Sequence, residues 1–328
     1  MRTGNRIPEL TVIIPAHNEA SHLGACLDSV REALECAGLT AAEVIVVDDC
    51  STDETSDVAR AHGAFAIRQS RRLGQMAACS LGVANSSASL LSFVDADCHV
   101  DRGAFSALLR GFARPTVGVV AARSEPDSGR TAKSLAERSA AFSALMLHET
   151  KSRLVNHDFL PIGRLFALRR DAWQAGDDQQ RPCDRIYASR AKHAGWDIIY
   201  MPEAVVYYQP VGTYDEFRSA YVRSVRAHTQ ARLADNWMEP LPRGIVCRAA
   251  SAGLRRQPLS AAAWLALRTR LWTERAVGLA RPNEGLQRSG IWDKLPQSSR
   301  TSATVDAANR PPRNEPGDLR DPSARSSW

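Results

Sequence analysis

Short apolar runs alternate with longer polar segments through the first hundred residues of the chain. Branched aliphatic residues dominate the runs 10–14, 44–47 and 90–94, which are typical of buried strands, and a shorter strand is predicted near 65–67. The segments between them carry apolar residues three and four positions apart, as helices do. Strands that alternate with helices in this way predict an α/β fold with a mostly parallel sheet and helices on both faces.

The ends of the first two helices are predicted from capping residues. Asn18 stands where an N-cap belongs, and Gly38 is expected to end the helix that follows. Ser51 and Glu54 have the spacing of a capping box, which predicts a second helix over about 54–62. The core side of the first helix is predicted from its spacing and comprises Leu23, Cys26, Leu27, Val30 and Leu34.

The pattern continues beyond residue 100 with longer helices. Further strands are predicted at 117–121, 165–168, 197–200 and 204–208, the last two separated by Pro202. Helices are predicted at about 75–85, 131–154, 184–193, 214–235 and 259–279.

Acidic side chains follow two of the predicted strands. Asp95 and Asp97 are one residue apart, so in an extended backbone they point the same way. Two adjacent carboxylates repel each other unless water or a cation separates them, and Mg²⁺ or Mn²⁺ is the natural oxygen-bound partner. Asp49 and the loop 15–19 also lie at strand ends, where open α/β sheets bind ligands. Two solvated aspartates in a turn are the alternative interpretation of the short motif alone.

Several separated motifs now suggest a family. They are VIIPAHNE at 12–19, VVDDCSTD at 46–53, DAD at 95–97, and Asp184 followed by GWDI and PEA within 195–204. In this order and spacing, over roughly residues 10–230, the chain resembles the family 2 glycosyltransferases with the GT-A nucleotide-diphospho-sugar transferase fold. The resemblance implies transfer of a sugar from a nucleoside-diphosphate sugar, with a UDP-sugar as the expected donor and Mg²⁺ or Mn²⁺ as the cofactor.

The resemblance also implies roles for residues in the donor half. Pro15, Ala16 and Glu19 would line the nucleotide pocket, and Asp49 would hydrogen-bond the base or the ribose. Arg71 and Gly74 would approach the nucleotide, Asp95 would face the ribose or the metal, and Asp97 would hold the metal against the diphosphate. Two alternatives stay open: Asp49 as a helix N-cap, and Arg71 as a solvated loop residue whose place Arg72 takes.

Asp184 matches the position of the family's catalytic base. An acceptor hydroxyl loses a proton as it attacks the anomeric carbon, and attack opposite the leaving group would invert that centre. The chain departs from the family pattern at Cys183, where glutamate is common, and at Tyr207–Gln209, where a histidine often stands. A metal ligand from that second position is therefore not expected, and His99 is weighed as a ligand against a solvated loop histidine.

The expected function is an inverting, metal-dependent glycosyltransferase that acts on a hydroxyl acceptor in cell-envelope, polysaccharide or lipid-glycan assembly. A sugar nucleotidyltransferase is one alternative, although such enzymes use a glycine-rich loop where this chain has Pro15–Asn18. A non-catalytic nucleotide-sugar-binding protein is another.

Domain boundaries are predicted from shifts in composition. A catalytic domain is expected over 1–235, with a nucleotide-sugar half at about 8–123 and an acceptor half at about 124–235. A basic helical extension is expected over 236–296 and a disordered tail over 297–328. The extension is rich in arginine and tryptophan, which suits contact with an anionic membrane or, equally, a helix packed on the domain with a solvated basic face.

The net charge of +6 favours an anionic partner. Nucleic acid is not expected, because the chain has no recognition-helix motif and no alternation of basic and aromatic residues. The seven scattered cysteines, the lack of a signal sequence and the lack of a long apolar run predict a cytoplasmic protein, either free or peripheral on the inner face of the membrane.

Overall fold

The computed structural model describes the backbone of most of the chain. The described ranges are 9–127, 134–154, 163–174, 183–234 and 243–276; within them, the side chains of 183–185, 226–234 and 275–276 are not described.

The described strands are β1 (Leu10–Ala16), β2 (Glu43–Asp48), β3 (Phe65–Arg68), β4 (Leu90–Val94), β5 (Cys98–Val100), β6 (Val117–Pro126), β7 (Leu165–Arg169) and β8 (Asp197–Tyr208). The described helices are α1 (Ala20–Cys36), α2 (Thr55–Ala61), α3 (Gln75–Ala84), α4 (Ala104–Gly111), α5 (Leu135–Arg153), α6 (Cys183–His193), α7 (Tyr214–Ala234), α8 (Arg243–Arg256) and α9 (Pro258–Ala276), with a short 3₁₀ turn at Arg170–Ala172.

These strands form one sheet with the order β3-β2-β1-β4-β7-β6-β8-β5. Strands β1 to β4 run parallel to one another, and β6 is parallel to β8. Strand β7 lies antiparallel between β4 and β6, and β5 is antiparallel to β8 at the edge. The predicted architecture, a mostly parallel sheet flanked by helices with further helices at the C-terminal end, is confirmed.

Alternate residues of β1 serve opposite faces of the sheet. Val12 and Ile14 are fully buried in a cluster that includes the predicted core side of α1, whereas Ile13 joins a second cluster with Met76 of α3. A strand covered on both faces reads as an unbroken apolar run, which is why its sequence shows no alternation. The two layers of helices therefore fix the ends of β1, β2 and β4 relative to one another.

The predicted cap of α1 is wrong, although its end is right. Asn18 adopts a left-handed φ of 56°, Glu19 precedes the helix, and the Asn18 side chain accepts a hydrogen bond from the Thr52 N–H at 2.8 Å. Asn18 thus joins the loop after β1 to the loop after β2, because parallel neighbours end side by side. Gly38 follows α1 with a φ of 71°, as a helix-ending glycine does.

The predicted capping box of α2 is also wrong. The helix begins at Thr55, and Glu54 makes no capping hydrogen bond with its side chain. The Ser51 hydroxyl instead accepts a hydrogen bond from the Asn18 N–H at 2.9 Å, and the Thr55 N–H donates to Asp53 at 3.1 Å. Ser51 therefore joins two loops, and Asp53 rather than Ser51 accepts a hydrogen bond from the first turn of α2.

One long strand replaces two predicted short ones. The segments 197–200 and 204–208 belong to β8, whose pairing with β6 shifts register between Met201 and Val205. The irregularity absorbs Pro202, which has no N–H to donate to the sheet. The strand therefore continues without a break to its carboxyl end at Tyr208.

Helices α8 and α9 pack against α5. The rings of Phe142 and Trp264 lie 5.6 Å apart, and Gly253 approaches so closely that a Cβ there would lie 2.9 Å from the Phe142 ring. Among the described helices, none combines the length and the apolar character needed to cross a membrane. The described residues all belong to one compact unit. The predicted domain boundaries stay predictions, and the tail 297–328 lies outside the described residues.

Candidate active site

The carboxyl ends of β1 and β4 open into a cavity of about 300 Å³. Its walls come from the end of β1, the start of α3, the end of β4 and the residues leading into β7, and they comprise Pro15, Gln75, Cys79, Phe93, Val94, Asp95, Gly163, Arg164 and Phe166. The volume suits a small ligand, and the position is the one that open α/β sheets use for binding.

Asp49, at the end of β2, is held by backbone groups. The residue is only 4% exposed, and its two carboxylate oxygens accept hydrogen bonds from the N–H groups of Leu73 at 2.7 Å and Gly74 at 2.8 Å. Its own N–H donates to the Ala16 carbonyl at 2.8 Å. Asp49 thus shapes the turn before α3 and does not cap a helix; its predicted contact with base or ribose stays a prediction.

The neighbouring Asp48 is fully buried and serves the loop that follows β2. Its carboxylate accepts hydrogen bonds from the Ser51 N–H at 2.7 Å and from the Ser56 hydroxyl. Burial alone would raise the pKa of Asp48, but these hydrogen bonds and the nearby Arg68 lower it below the ordinary value. Asp48 therefore stays ionised inside the fold.

Asp95 and Asp97 are held by side chains instead. Their side chains are 31% and 36% exposed, and Nη1 of Arg164 lies 3.4 Å from an oxygen of each. The Gln75 side chain also donates to Asp95 at 3.0 Å. The two carboxylates therefore meet at Arg164, although the segment that carries them is a turn after β4, closed by the Cys98 N–H donating to the Asp95 carbonyl at 3.2 Å, and not the extended strand that the sequence predicts.

Arg164 supplies the positive charge between these carboxylates. Burial by itself would lower the pKa of this guanidinium, but Asp95 and Asp97 raise it above its usual range. The guanidinium also lies 4.3 Å from the centre of the Tyr208 ring, at the end of β8. A charged arginine thus lies at the place where the sequence predicts a cation.

The donor atoms around this pair fit an oxygen-binding cation. Within the described part of the chain, Asp95, Asp97 and Cys98 form a group whose ligand atoms lie within 4.8 Å of one another. Burial and the two carboxylates raise the pKa of the Cys98 thiol, and Mg²⁺ and Mn²⁺ prefer oxygen ligands to sulfur. The two carboxylates remain, and they match Mg²⁺ or Mn²⁺.

Glu19, just before α1, lies close enough to Asp97 for their charges to interact. Burial and the charge of Asp97 raise its pKa, while a contact with His22 at 3.1 Å partly offsets the effect. A second cavity of about 190 Å³ includes Asp97 and His22 in its walls. The predicted role of Glu19 in the nucleotide pocket stays a prediction. His99 lies outside the three-residue ligand group.

The remaining predicted residues are Arg71, Gly74 and Asp184. Arg71 and Arg72 are exposed in the loop before α3, and Gly74 has a φ of 94°, which favours glycine. Asp184 lies in the first turn of α6, and its side chain is outside the described set. Its proposed role as base is therefore a matter for experiment.

Sequence reasoning missed Arg164 and Gln75. Both contact the β4 carboxylates, yet neither belongs to a recognised motif. The antiparallel pairing of β4 with β7 brings Arg164 there, since the Asp95 N–H donates to the Arg164 carbonyl at 3.1 Å. Only knowledge of strand order could have placed this residue.

The family of the chain follows from a comparison with family models. The model of the family described as "Glycosyl transferase family 2" matches residues 11–175, half of the chain. The chain belongs to glycosyltransferase family 2, and the predicted membership is confirmed.

Individual relatives are more distant. The chain is 38% identical over 93 residues to a 4,4'-diaponeurosporenoate glycosyltransferase of Staphylococcus aureus (strain USA300), a match that covers 27% of this chain and 24% of the relative. The match thus spans about a quarter of that relative's length. A solved mannosyltransferase from Pyrobaculum calidifontis, in complex with GDP-Man and Mn²⁺, has 22% identity and a TM-score of 0.55 over 84% of this chain and 82% of that one. This second likeness shows a shared fold.

Proposed function

We propose that the protein transfers a sugar from a nucleoside-diphosphate sugar to a hydroxyl acceptor, with inversion at the anomeric carbon. The observation that carries the proposal is the convergence of Asp95 and Asp97 beside a 300 Å³ cavity at the carboxyl edge of the sheet. Family membership supports the same reaction class.

The donor occupies the first cavity in this proposal. Pro15 borders it, Asp49 and Gly74 shape the adjoining turn, and the exposed Arg71 and Arg72 supply positive charge nearby. We expect a UDP-sugar as donor. The Pyrobaculum enzyme was solved with GDP-Man, so both bases belong in the first binding screen.

Mg²⁺ or Mn²⁺ would be held by Asp95 and Asp97, whose oxygens are the ligands such ions prefer. A bound divalent cation supplies positive charge that offsets the diphosphate as it leaves. The same enzyme from Pyrobaculum was solved with Mn²⁺, which supports this choice.

Asp184 would take the proton from the acceptor hydroxyl. A carboxylate at the start of α6 is suited to this role because it can accept a proton as the oxygen attacks. The acceptor would be a component of cell-envelope, polysaccharide or lipid-glycan assembly.

Calorimetry with Mn²⁺ and either UDP or GDP tests the donor site, and a transfer assay tests the chemistry. Asp97→Ala should abolish metal-dependent nucleotide binding, whereas Asp184→Asn should bind the nucleotide normally and lose transfer. Asp57→Ala, an exposed change on α2, serves as control and should affect neither. Unchanged binding in Asp97→Ala would contradict the metal role, and retained turnover in Asp184→Asn would exclude it as the base.

The two alternative functions give different results in the same assays. A sugar nucleotidyltransferase would release pyrophosphate from a nucleoside triphosphate and a sugar phosphate. A non-catalytic binder would bind the nucleotide sugar but would neither transfer nor hydrolyse it with any acceptor.

Helix α9 offers a second surface, and we propose that it contacts an anionic membrane. Its exposed positions recur three and four residues apart and, apart from Arg270, carry no charge; the uncharged ones are Pro258, Leu259, Ala262, Leu265, Ala266, Thr269, Trp272 and Thr273. Leu259 and Trp272 are each 70% exposed and Leu265 is 61% exposed. A helix that is apolar on its outer face as well as its packed face is suited to the boundary of a lipid layer.

The arginines of α8 and α9 indicate that the proposed partner is negatively charged. Arg243, Arg248 and Arg255 are exposed on α8, and the stretch 243–276 contains seven arginines and no lysine, against the single acid Glu274. Glu274 is itself paired with Arg270 at 3.1 Å. Such a surface attracts acidic phospholipid head groups while its leucines and tryptophan enter the acyl boundary.

Cosedimentation of the full chain with phosphatidylglycerol-containing vesicles tests this surface, with pure phosphatidylcholine as the neutral comparison. Trp272→Ser with Leu265→Ser should release the protein, whereas Phe65→Ser, a 49% exposed aromatic on β3, should not. Equal binding by both variants, or none by the wild type, would favour a helix pair with a solvated basic face. Dimers in light scattering that Trp272→Ser dissolves would point to a second copy instead.

A further inference from the structure

Arg164 holds the place that a divalent cation would need. Its Nη1 lies 3.4 Å from both Asp95 and Asp97, and the same side chain borders the cavity assigned to the donor. A dication and a guanidinium cannot share the space between two carboxylates without strong repulsion. One must leave when the other arrives.

The surroundings give the displaced guanidinium another partner. Its planar fork matches phosphate oxygens, and the donor diphosphate would lie in the cavity that Arg164 already borders. The Tyr208 ring, 4.3 Å away, supports the guanidinium from one side. The backbone of Arg164 is fixed to Asp95 by the sheet, so the side chain alone has to move.

We propose that Arg164 is an internal counter-ion that neutralises Asp95 and Asp97 before the metal binds and then moves to the donor diphosphate. The inference rests on the proposed metal and donor site. It makes metal and nucleotide binding cooperative, because the metal displaces the Arg164 guanidinium, which then binds the phosphates of the nucleotide. Without nucleotide, the metal has to compete with Arg164.

Binding of Mn²⁺ to the full chain, followed by electron paramagnetic resonance, tests the competition directly. In the wild type, UDP or GDP should strengthen Mn²⁺ binding by about tenfold or more, within the usual range for coupled sites. Arg164→Met keeps the length of the stem and removes the charge. It should bind Mn²⁺ about tenfold more tightly than the wild type without nucleotide, and the nucleotide should add little.

Arg164→Lys keeps the charge at a single point and should fall between the wild type and Arg164→Met. Arg60→Met, an exposed arginine paired with Asp57, is the matched control and should behave as the wild type. Circular dichroism confirms folding of each variant. If Arg164→Met does not fold, a crystal structure of the wild type with Mn²⁺ and nucleotide decides, since a guanidinium still between the carboxylates would overturn the proposal.

The outcomes separate this inference from the function it rests on. If the wild type binds no Mn²⁺ even with nucleotide, the proposed metal site fails. If the wild type binds Mn²⁺ with nucleotide but Arg164→Met has the same or weaker affinity for Mn²⁺ alone, the metal site stands and the counter-ion role is wrong.

Discussion

Two pairs of aspartates lie at the same edge of the sheet and are held in opposite ways. Asp48 and Asp49, the β2 aspartates, are 0% and 4% exposed and accept hydrogen bonds from backbone N–H groups. Asp95 and Asp97, which follow β4, are about one-third exposed, and their carboxylates contact the side chain of Arg164 and, at Asp95, that of Gln75. A backbone N–H that donates to a carboxylate is fixed by the fold, whereas a side chain that contacts a carboxylate can rotate away when a ligand binds.

The comparison separates two ways in which the same residue type is held. The carboxylates of Asp48 and Asp49 fix the loops after β2 and β3. The carboxylates of Asp95 and Asp97 share Arg164, whose place we propose that a cation takes. The predicted contact of Asp49 with the base or the ribose stays a prediction.

The largest expected effect is on folding. Asp48→Ala should lower the free energy of unfolding by about 3 kcal/mol, because it leaves buried donors of Ser51 and Ser56 without their charged acceptor. Asp97→Ala should change it by less than about 1 kcal/mol, since exposed ion pairs contribute little. Urea denaturation measures the free energy of unfolding of both variants. Equal losses would contradict the difference between the two pairs of aspartates.

A smaller effect is expected from pH. Because the folded protein lowers the pKa of Asp48, this group stabilises the fold above the ordinary aspartate pKa of about 4, and the stabilisation is lost as the pH falls through the folded value. The stability difference between wild type and Asp48→Ala should therefore shrink from pH 7 to about pH 3. Urea denaturation across this range provides the check, and a constant difference would mean that Asp48 is not ionised in the fold.

The smallest effect is expected at Gln75. Since this side chain is exposed, Gln75→Ala should change the stability by less than about 0.5 kcal/mol. Its hydrogen bond orients Asp95, so calorimetry should show nucleotide binding with Mn²⁺ about fivefold weaker, the value of one net hydrogen bond. Gln75→Glu offers a sharper variant, because a third carboxylate there should compete for Arg164.

Hydrophobic pattern was sufficient to predict most strands and most helices, although the short β5 was not predicted. The runs that became β1, β2 and β4 are buried on both faces, so their sequences are continuous and easily recognised. The strand predictions succeeded because they depend on local spacing. Asp95 and Asp97 were expected to lie together along an extended strand, whereas they come together through a turn after β4.

Predictions that required contacts between distant segments failed. Asn18 and Ser51 have the composition of helix caps, yet they hydrogen-bond across two loops because their strands are neighbours in the sheet. Arg164 is separated from Asp95 by 69 positions and reaches it through the β4–β7 pairing. No spacing in the sequence reports such a pairing, so a residue of this kind is visible only in the folded chain.

The antiparallel placement of β7 has one further consequence. Because side chains alternate along a strand, a shift of one residue ahead of β7 would bring Gly163 or Leu165 to the position now held by Arg164. The sheet would keep its hydrogen bonds, but Asp95 and Asp97 would lose the positive charge of Arg164. A change of one residue in the register of β7 would therefore change how strongly Asp95 and Asp97 need a metal ion, although neither aspartate is altered.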